Sequence, residues 1–226
     1  GGGAQNIVST NAEYSSIGGG AVNLVGTNAT ASTIAGGYWN TNYSPYGTIG
    51  GGGLNTILDN AGNATIAGGY QNGIEANAND STISGGDGNL IRRDSEDSLI
   101  AGGDSNLIHT NSPFAVILGG WLNQVVSNGS YGVVLGGRSN AASKYSIAAG
   151  WGARAATTNS AVFNLSLTGV PFQSLSNGQF AVNAPGGFTL GTNDPTTNTF
   201  TVAGHALVTG DLRVGGKLYG DGSALT

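Results

Sequence analysis

A Gly-Gly-x-x-Asn unit returns along the first part of this chain at a nearly fixed interval, and that interval restricts the fold more than any other feature. Copies begin at Gly2, Gly19, Gly36, Gly51, Gly68, Gly85, Gly102, Gly119 and Gly136; the third step is 15 residues and the others are 17. A degenerate copy, Ala149-Gly150-Trp151-Gly152-Ala153, follows after 13. An interval of 17 is too short for two helices but holds two short strands and two turns. The repeat predicts an all-β chain, a parallel β-roll solenoid with two short strands per rung.

Two columns of residues give the rung its core. Two places ahead of each Gly-Gly stand Ile17, Ile34, Ile49, Ile66, Ile83, Ile100, Ile117, Val134 and Ile147, all β-branched, as buried strand positions favour. Two places after each Asn stand Val8, Val25, Asn42, Ile57, Ile74, Ile91, Ile108, Val125 and Ala142. These columns are expected to face each other, with glycines turning the chain and the asparagines from Asn6 to Asn140 bonding rung to rung. The segments joining one rung to the next, such as Thr27–Thr30, Glu75–Asp80 and His109–Phe114, vary freely and are expected outside the core.

The outward positions change along the block. Ser16, Thr33, Thr48, Thr65 and Thr82 give way to Leu99, Val116 and Val133, and Ala35, Ala67 and Ala101 give way to Leu118 and Leu135. Strand side chains alternate between faces, so the later rungs carry apolar residues on both faces, and the outer one calls for a partner. Self-association through that face is the economical answer.

Composition narrows the function. The chain has 226 residues, 42 of them glycine, only 8% charged, with a net charge of −5, which speaks against nucleic acid or an anionic membrane as partner. Cysteine is absent, compatible with an extracellular fibre, and no apolar run is long enough to span a bilayer. The chain begins inside a repeat, without methionine or signal peptide, and reads as a piece of something longer.

The run Ser146-Ile147-Ala148-Ala149-Gly150-Trp151-Gly152-Ala153-Arg154-Ala155 resembles the head repeat of YadA-type trimeric autotransporter adhesins. Such blocks also occur in bacterial and phage fibre proteins that end in an endosialidase-type intramolecular chaperone. There they precede segments similar to Gln179–Gly187, Gly191-Thr192-Asn193 and Gly220-Asp221-Gly222-Ser223. The resemblance implies a left-handed parallel roll, a homotrimer and an extracellular setting on a cell surface, a virion or an injection device.

Three regions are expected: a β-roll head over residues 1–158, a neck or capping β segment over 159–201, and the start of a stalk over 202–226. In the last, Val202, Val208 and Val214 and Gly204, Gly210 and Gly216 repeat every six residues, which fits a thin stalk of three intertwined β chains, with a plain hairpin as the alternative.

Chemistry is scarce. Arg92-Arg93-Asp94-Ser95-Glu96-Asp97 suits a solvated or salt-bridged loop, or contact with a cation or charged sugar; Asp87 and Asp104 share a column in adjacent rungs. His109 and His205 are far apart and lack other metal-ligating types nearby. The expectation is no enzyme, no cofactor and no metal. Aromatic rings remain: Tyr38, Tyr70 and Trp121 directly follow a Gly-Gly pair, Trp39 stands one place further on, and Trp151 lies in the degenerate rung. They suit glycan binding, since sugars present C–H faces to aromatic rings, and equally suit covering the turn or packing on a neighbouring subunit. The expected function is attachment of a trimeric fibre to a target surface, through multivalent binding of a surface glycan or cell-surface receptor. The alternatives are a purely structural shaft or spacer of a phage or injection-device tail fibre, an ice-binding solenoid suggested by the threonine column, and a glycan-degrading β-helix.

Overall fold

A computed structural model describes residues 3–186. These form a parallel β-solenoid of two 11-stranded sheets through which the chain alternates, and no helix occurs among them. The strand ahead of each Gly-Gly pair joins the front sheet, which runs from Ser16–Ile17 through Thr33–Ile34 and its successors to Phe180–Asn183. The strand after each Asn joins the back sheet, from Ile7–Val8 to Phe172–Gln173. Most strands are only two residues long, one side chain in and one out, so each rung gives the core one strand residue per sheet, large in most rungs and alanine in several of the last ones.

The core columns hold from the second rung on; in the first, Val8 is exposed and Ile17 only partly buried, because among the described residues those two end strands have a neighbouring rung on one side alone. Ile34, Ile49, Ile66, Ile83, Ile100, Ile117 and Val134 line the front sheet, fully buried, and Val25, Asn42, Ile57, Ile74, Ile91, Ile108, Val125 and Ala142 line the back. The last front position differs from expectation. Ile147 pairs with Val133 and is exposed, while Ala148 pairs with Val134 and takes the core position. The rung is one residue shorter between core position and turn, so the register shifts there and Ile147 moves to the outer face.

Asparagine closes each Gly-Gly turn from inside. The Asn106 amide Nδ2 donates to Gly102 O in its own rung and to Gly120 O in the next, each at 3.0 Å, while its Oδ1 accepts the Asn123 backbone N–H, also at 3.0 Å. The same pattern recurs from Asn23 to Asn140. The second glycine is required by both conformation and space. Gly103 has φ +91°, and a Cβ there would stand 2.3 Å from Gly120 O.

The joining loops are not wholly outside the core. Ala29, Ala61, Ala78, Ser95 and Ser112 form one fully buried column within them, and Ser32, Ala64, Ser81, Ser98 and Ala115 form another. The serine hydroxyls donate to backbone carbonyls of the following rung, as Ser95 Oγ does to His109 O at 2.9 Å. Only small residues fit here, because the loop closes the narrow end of the roll. Positive φ also extends beyond glycine. Trp39, Leu54, Gln71, Ser105 and Leu122 on one edge, and Asn77, Asp94, Asn111 and Asn128 on the other, lie at φ between 55° and 61°. At the loop edge Asn and Asp tolerate this conformation best. Such corners turn their N–H groups backwards: Leu54 N donates to Tyr38 O of the preceding rung, whereas strand amides donate to the following one.

Both sheets run on past residue 158. Ala161–Asn164 and Phe180–Asn183 extend the front sheet, and Phe172–Gln173 extends the back. Residues 187–201 of the expected neck, the stalk hexads, His205 and Gly220-Asp221-Gly222-Ser223 lie outside the described residues.

Candidate functional site

Two edges and one face of the roll carry exposed side chains that do nothing for its core. The glycine edge bears the aromatic residues singled out from sequence. The parallel pairing places Tyr38, Gly53, Tyr70, Asp87, Asp104, Trp121 and Arg138 in one column, and Arg138 pairs onward with Trp151. Tyr38, Tyr70, Trp121 and Trp151 thus share a line, with Trp39 in the next column.

They fall into two groups. At the first, the Tyr38 and Trp39 rings stack with centroids 5.0 Å apart and planes 13° from parallel. Trp39 also borders an open groove of about 420 Å³ with Ile7, Val22, Leu24 and Leu54, whose floor includes Thr41 and Thr56. Tyr70 leans over Gly53, where a Cβ would stand 3.3 Å from its ring. At the second, the Arg138 guanidinium lies 4.1 Å from the Trp121 ring centroid and 5.2 Å from that of Trp151. Trp151 rests against Gly169, where a Cβ would come within 2.6 Å of the indole. Three rungs, roughly 14 Å at one strand spacing each, separate Tyr70 from Trp121.

Asp87 and Asp104 are neighbours in the same column and both are exposed. The Ser105 hydroxyl donates to Asp104 Oδ1. Among the described residues no group of three His, Cys, Asp or Glu side chains could hold a metal ion. His109 Nε2 lies 3.1 Å from Gln124 Oε1, an ordinary polar contact between rungs. Arg93, Asp94, Glu96 and Asp97 are exposed on the loop edge. The Asn77 amide donates to Asp94 Oδ1 at 3.0 Å, tying that loop to the rung before it.

The loop edge carries an aromatic stack that sequence reasoning missed. Phe114 and Tyr131 lie 4.8 Å apart with planes 10° from parallel, and Tyr131 and Tyr145 lie 5.1 Å apart at 14°. All three are exposed and adopt left-handed φ. The signal was their spacing of 17 and 14 residues, hidden because the loops were read as free to vary.

The front sheet's outer face is apolar along its later rungs. Leu99, Val116, Val133, Ile147, Ala161 and Phe180 pair in succession as one column. Beside it run Leu118 and Leu135, half exposed, followed by the paired Ala149, Phe163 and Val182. On the earlier rungs the first column is Ser16, Thr33, Thr48, Thr65 and Thr82, in register.

Among the described residues no helix is long and apolar enough to cross a membrane. Compared with protein-family models and with curated proteins, the chain matches none.

Proposed function

We propose that this chain is a segment of a trimeric extracellular fibre, borne by a cell, a virion or an injection device, which attaches its bearer to a surface by multivalent glycan binding without turnover. The observation that carries the proposal is the pairing, on one rigid roll, of an outward apolar face with exposed aromatic rings on its edges. Burying the Leu99-to-Phe180 column and its neighbour against two further copies removes that face from water. Three copies of a weak sugar site on one rod then act together, because the second and third contacts form at high effective concentration. The groove beside Trp39, with threonines and apolar side chains in its lining, offers room for a pyranose ring.

A second reading, a shaft that only spaces other parts, is favoured by the ring faces already covered: Tyr38 on Trp39, and Arg138 on Trp121. An ice-binding role has the in-register threonines to support it, but they end at Leu99.

Light scattering over a range of concentrations tests the assembly, with three chain masses unchanged on dilution as the expected result. Leu118→Glu combined with Leu135→Glu should give monomers of unchanged far-ultraviolet circular dichroism. A glycan array with Trp39→Ala as control tests the binding. Trimers that bind no glycan leave the shaft reading standing, and a stable monomeric parent overturns the fibre. Thermal hysteresis by the parent would favour the ice-binding solenoid.

A further inference from the structure

Arg138, like the other exposed residues of the glycine-edge column, is explained neither by the core nor by the turn. It follows Gly136-Gly137, is exposed, and pairs through its backbone with Trp121 on one side and Trp151 on the other. Rungs stand about 4.8 Å apart, so the two indoles flank a slot two rung spacings wide. The guanidinium fills it, 4.1 Å from one ring centroid and 5.2 Å from the other. Gly169 lies close against the Trp151 indole, with no room for a Cβ between them.

Two rings over its faces leave the guanidinium only its rim, where its N–H groups point. No acid stands next to it in its column, where both neighbours are tryptophans. The nearest acid in its column is Asp104, two rungs away with Trp121 between, and that carboxylate already accepts the Ser105 hydroxyl. Two rungs is roughly 10 Å, about one screening length at physiological salt, so Asp104 hardly weakens the field at the rim. A planar fork of donors, fixed in orientation and with no acid beside it in its column, matches a carboxylate bidentately.

We infer that Arg138, clamped between Trp121 and Trp151, anchors a binding site for a carboxylate-bearing sugar, a uronic or sialic acid unit of an acidic glycan. This rests on the glycan-binding reading and specifies the ligand class of one of its sites. A sugar is favoured over an acidic peptide because indole edges flank the anchor and offer apolar contact to a pyranose ring; Asp87 and Asp104 stand between Trp121 and Tyr70 in the same column, so the contact is with one acidic unit and not with a run of units along the column.

The test uses a matched pair of probes, oligogalacturonide and its fully methyl-esterified form, which differ in charge but not in ring structure. Binding to the whole chain is followed by tryptophan fluorescence and calorimetry, with an oligoglutamate peptide as a third probe. The free acid should bind at least tenfold more tightly than the ester, and Arg138→Gln should weaken the acid about 10- to 100-fold while leaving the ester unchanged. Arg138→Lys should recover only part of the loss, because an ammonium lacks the planar fork. Equal binding of acid and ester, or an equal loss of both in Arg138→Gln, overturns the carboxylate site while the wider glycan reading survives. Binding of oligoglutamate as tight as that of the sugar acid overturns the sugar assignment. A blank array of neutral and acidic glycans overturns both readings. Arg138 is exposed and outside the core, so circular dichroism of its variants should match the parent.

Discussion

Removing one asparagine from the middle of the ladder should open the roll there, and two substitutions at Asn106 separate the causes. The side chain is fully buried. Asn106→Ala leaves the Asn123 N–H without its acceptor and Gly102 O without its donor. Gly120 O and Asn89 Oδ1 lose a hydrogen as well, but each keeps a backbone partner, the amides of Asp104 and Asn106. The orphaned buried N–H costs about 1–3 kcal/mol, the part-buried carbonyl less, and the small cavity adds to that, so the expected loss is about 2–4 kcal/mol. Asn106→Asp keeps an acceptor for Asn123 but turns its second oxygen towards Gly102 O, Gly120 O and Asn89 Oδ1. Protonated, that oxygen still donates once; ionised, it repels three acceptors without water. Burial and these oxygens raise the introduced carboxyl's pKa in the folded chain above the unfolded value of about 3.9. Stability relative to the parent is therefore greatest below that value. It falls by about 1.4 kcal/mol per pH unit as pH rises towards the folded pKa, and stays low beyond it. Urea unfolding followed by circular dichroism at acid and neutral pH, with amide exchange at Asn123, measures both effects. A cost below about 1 kcal/mol for Asn106→Ala, or an aspartate variant no worse at neutral than at acid pH, would show that the ladder is not what holds the turns together.

Gly103→Ala should cost more than about 3 kcal/mol, because its Cβ meets backbone 2.3 Å away at φ +91°; a well-folded variant with a parental melting curve refutes this. Asn42 is as buried as Asn40, two residues earlier, but its Nδ2 has no partner, whereas Asn40 donates to Gly36 O and Gly52 O at 3.0 Å. Asn42→Val should stay within about 1 kcal/mol of the parent, since the lost acceptor for Ser44 N is offset by removal of an orphaned donor, while Asn40→Val costs several times more. Tyr131 stacks on both Phe114 and Tyr145, so Tyr131→Ala should lower stability by about 1–3 kcal/mol and speed amide exchange at the loop edge, a change that equilibrium unfolding and exchange both read.

The core was legible because it is periodic. A β-branched residue in most rungs of each sheet, with Gly and Asn at fixed offsets, is readable without a structure. Ile147 was misplaced because a one-residue deletion shifts the register, and the side-chain period of two then reverses which residue faces in. The serine and alanine columns escaped notice because small residues are as common in exposed loops as in tight corners. The exposed aromatics at the glycine edge were visible, but not that Arg138 stands between Trp121 and Trp151, since the three are 17 and 13 residues apart and meet only when rungs stack. The Phe114, Tyr131 and Tyr145 stack arises in the same way.

The short joining loops have a consequence for ancestry. Every rung receives its neighbour through the same few contacts, a glycine carbonyl, an asparagine amide and two small corners, and presents the same set onward. Gain or loss of one whole repeat by unequal recombination leaves both ends of the array able to dock as before. Lineages carrying such a gene can therefore lengthen or shorten the rod in increments of about 4.8 Å, a molecular vernier, without redesigning any residue that remains.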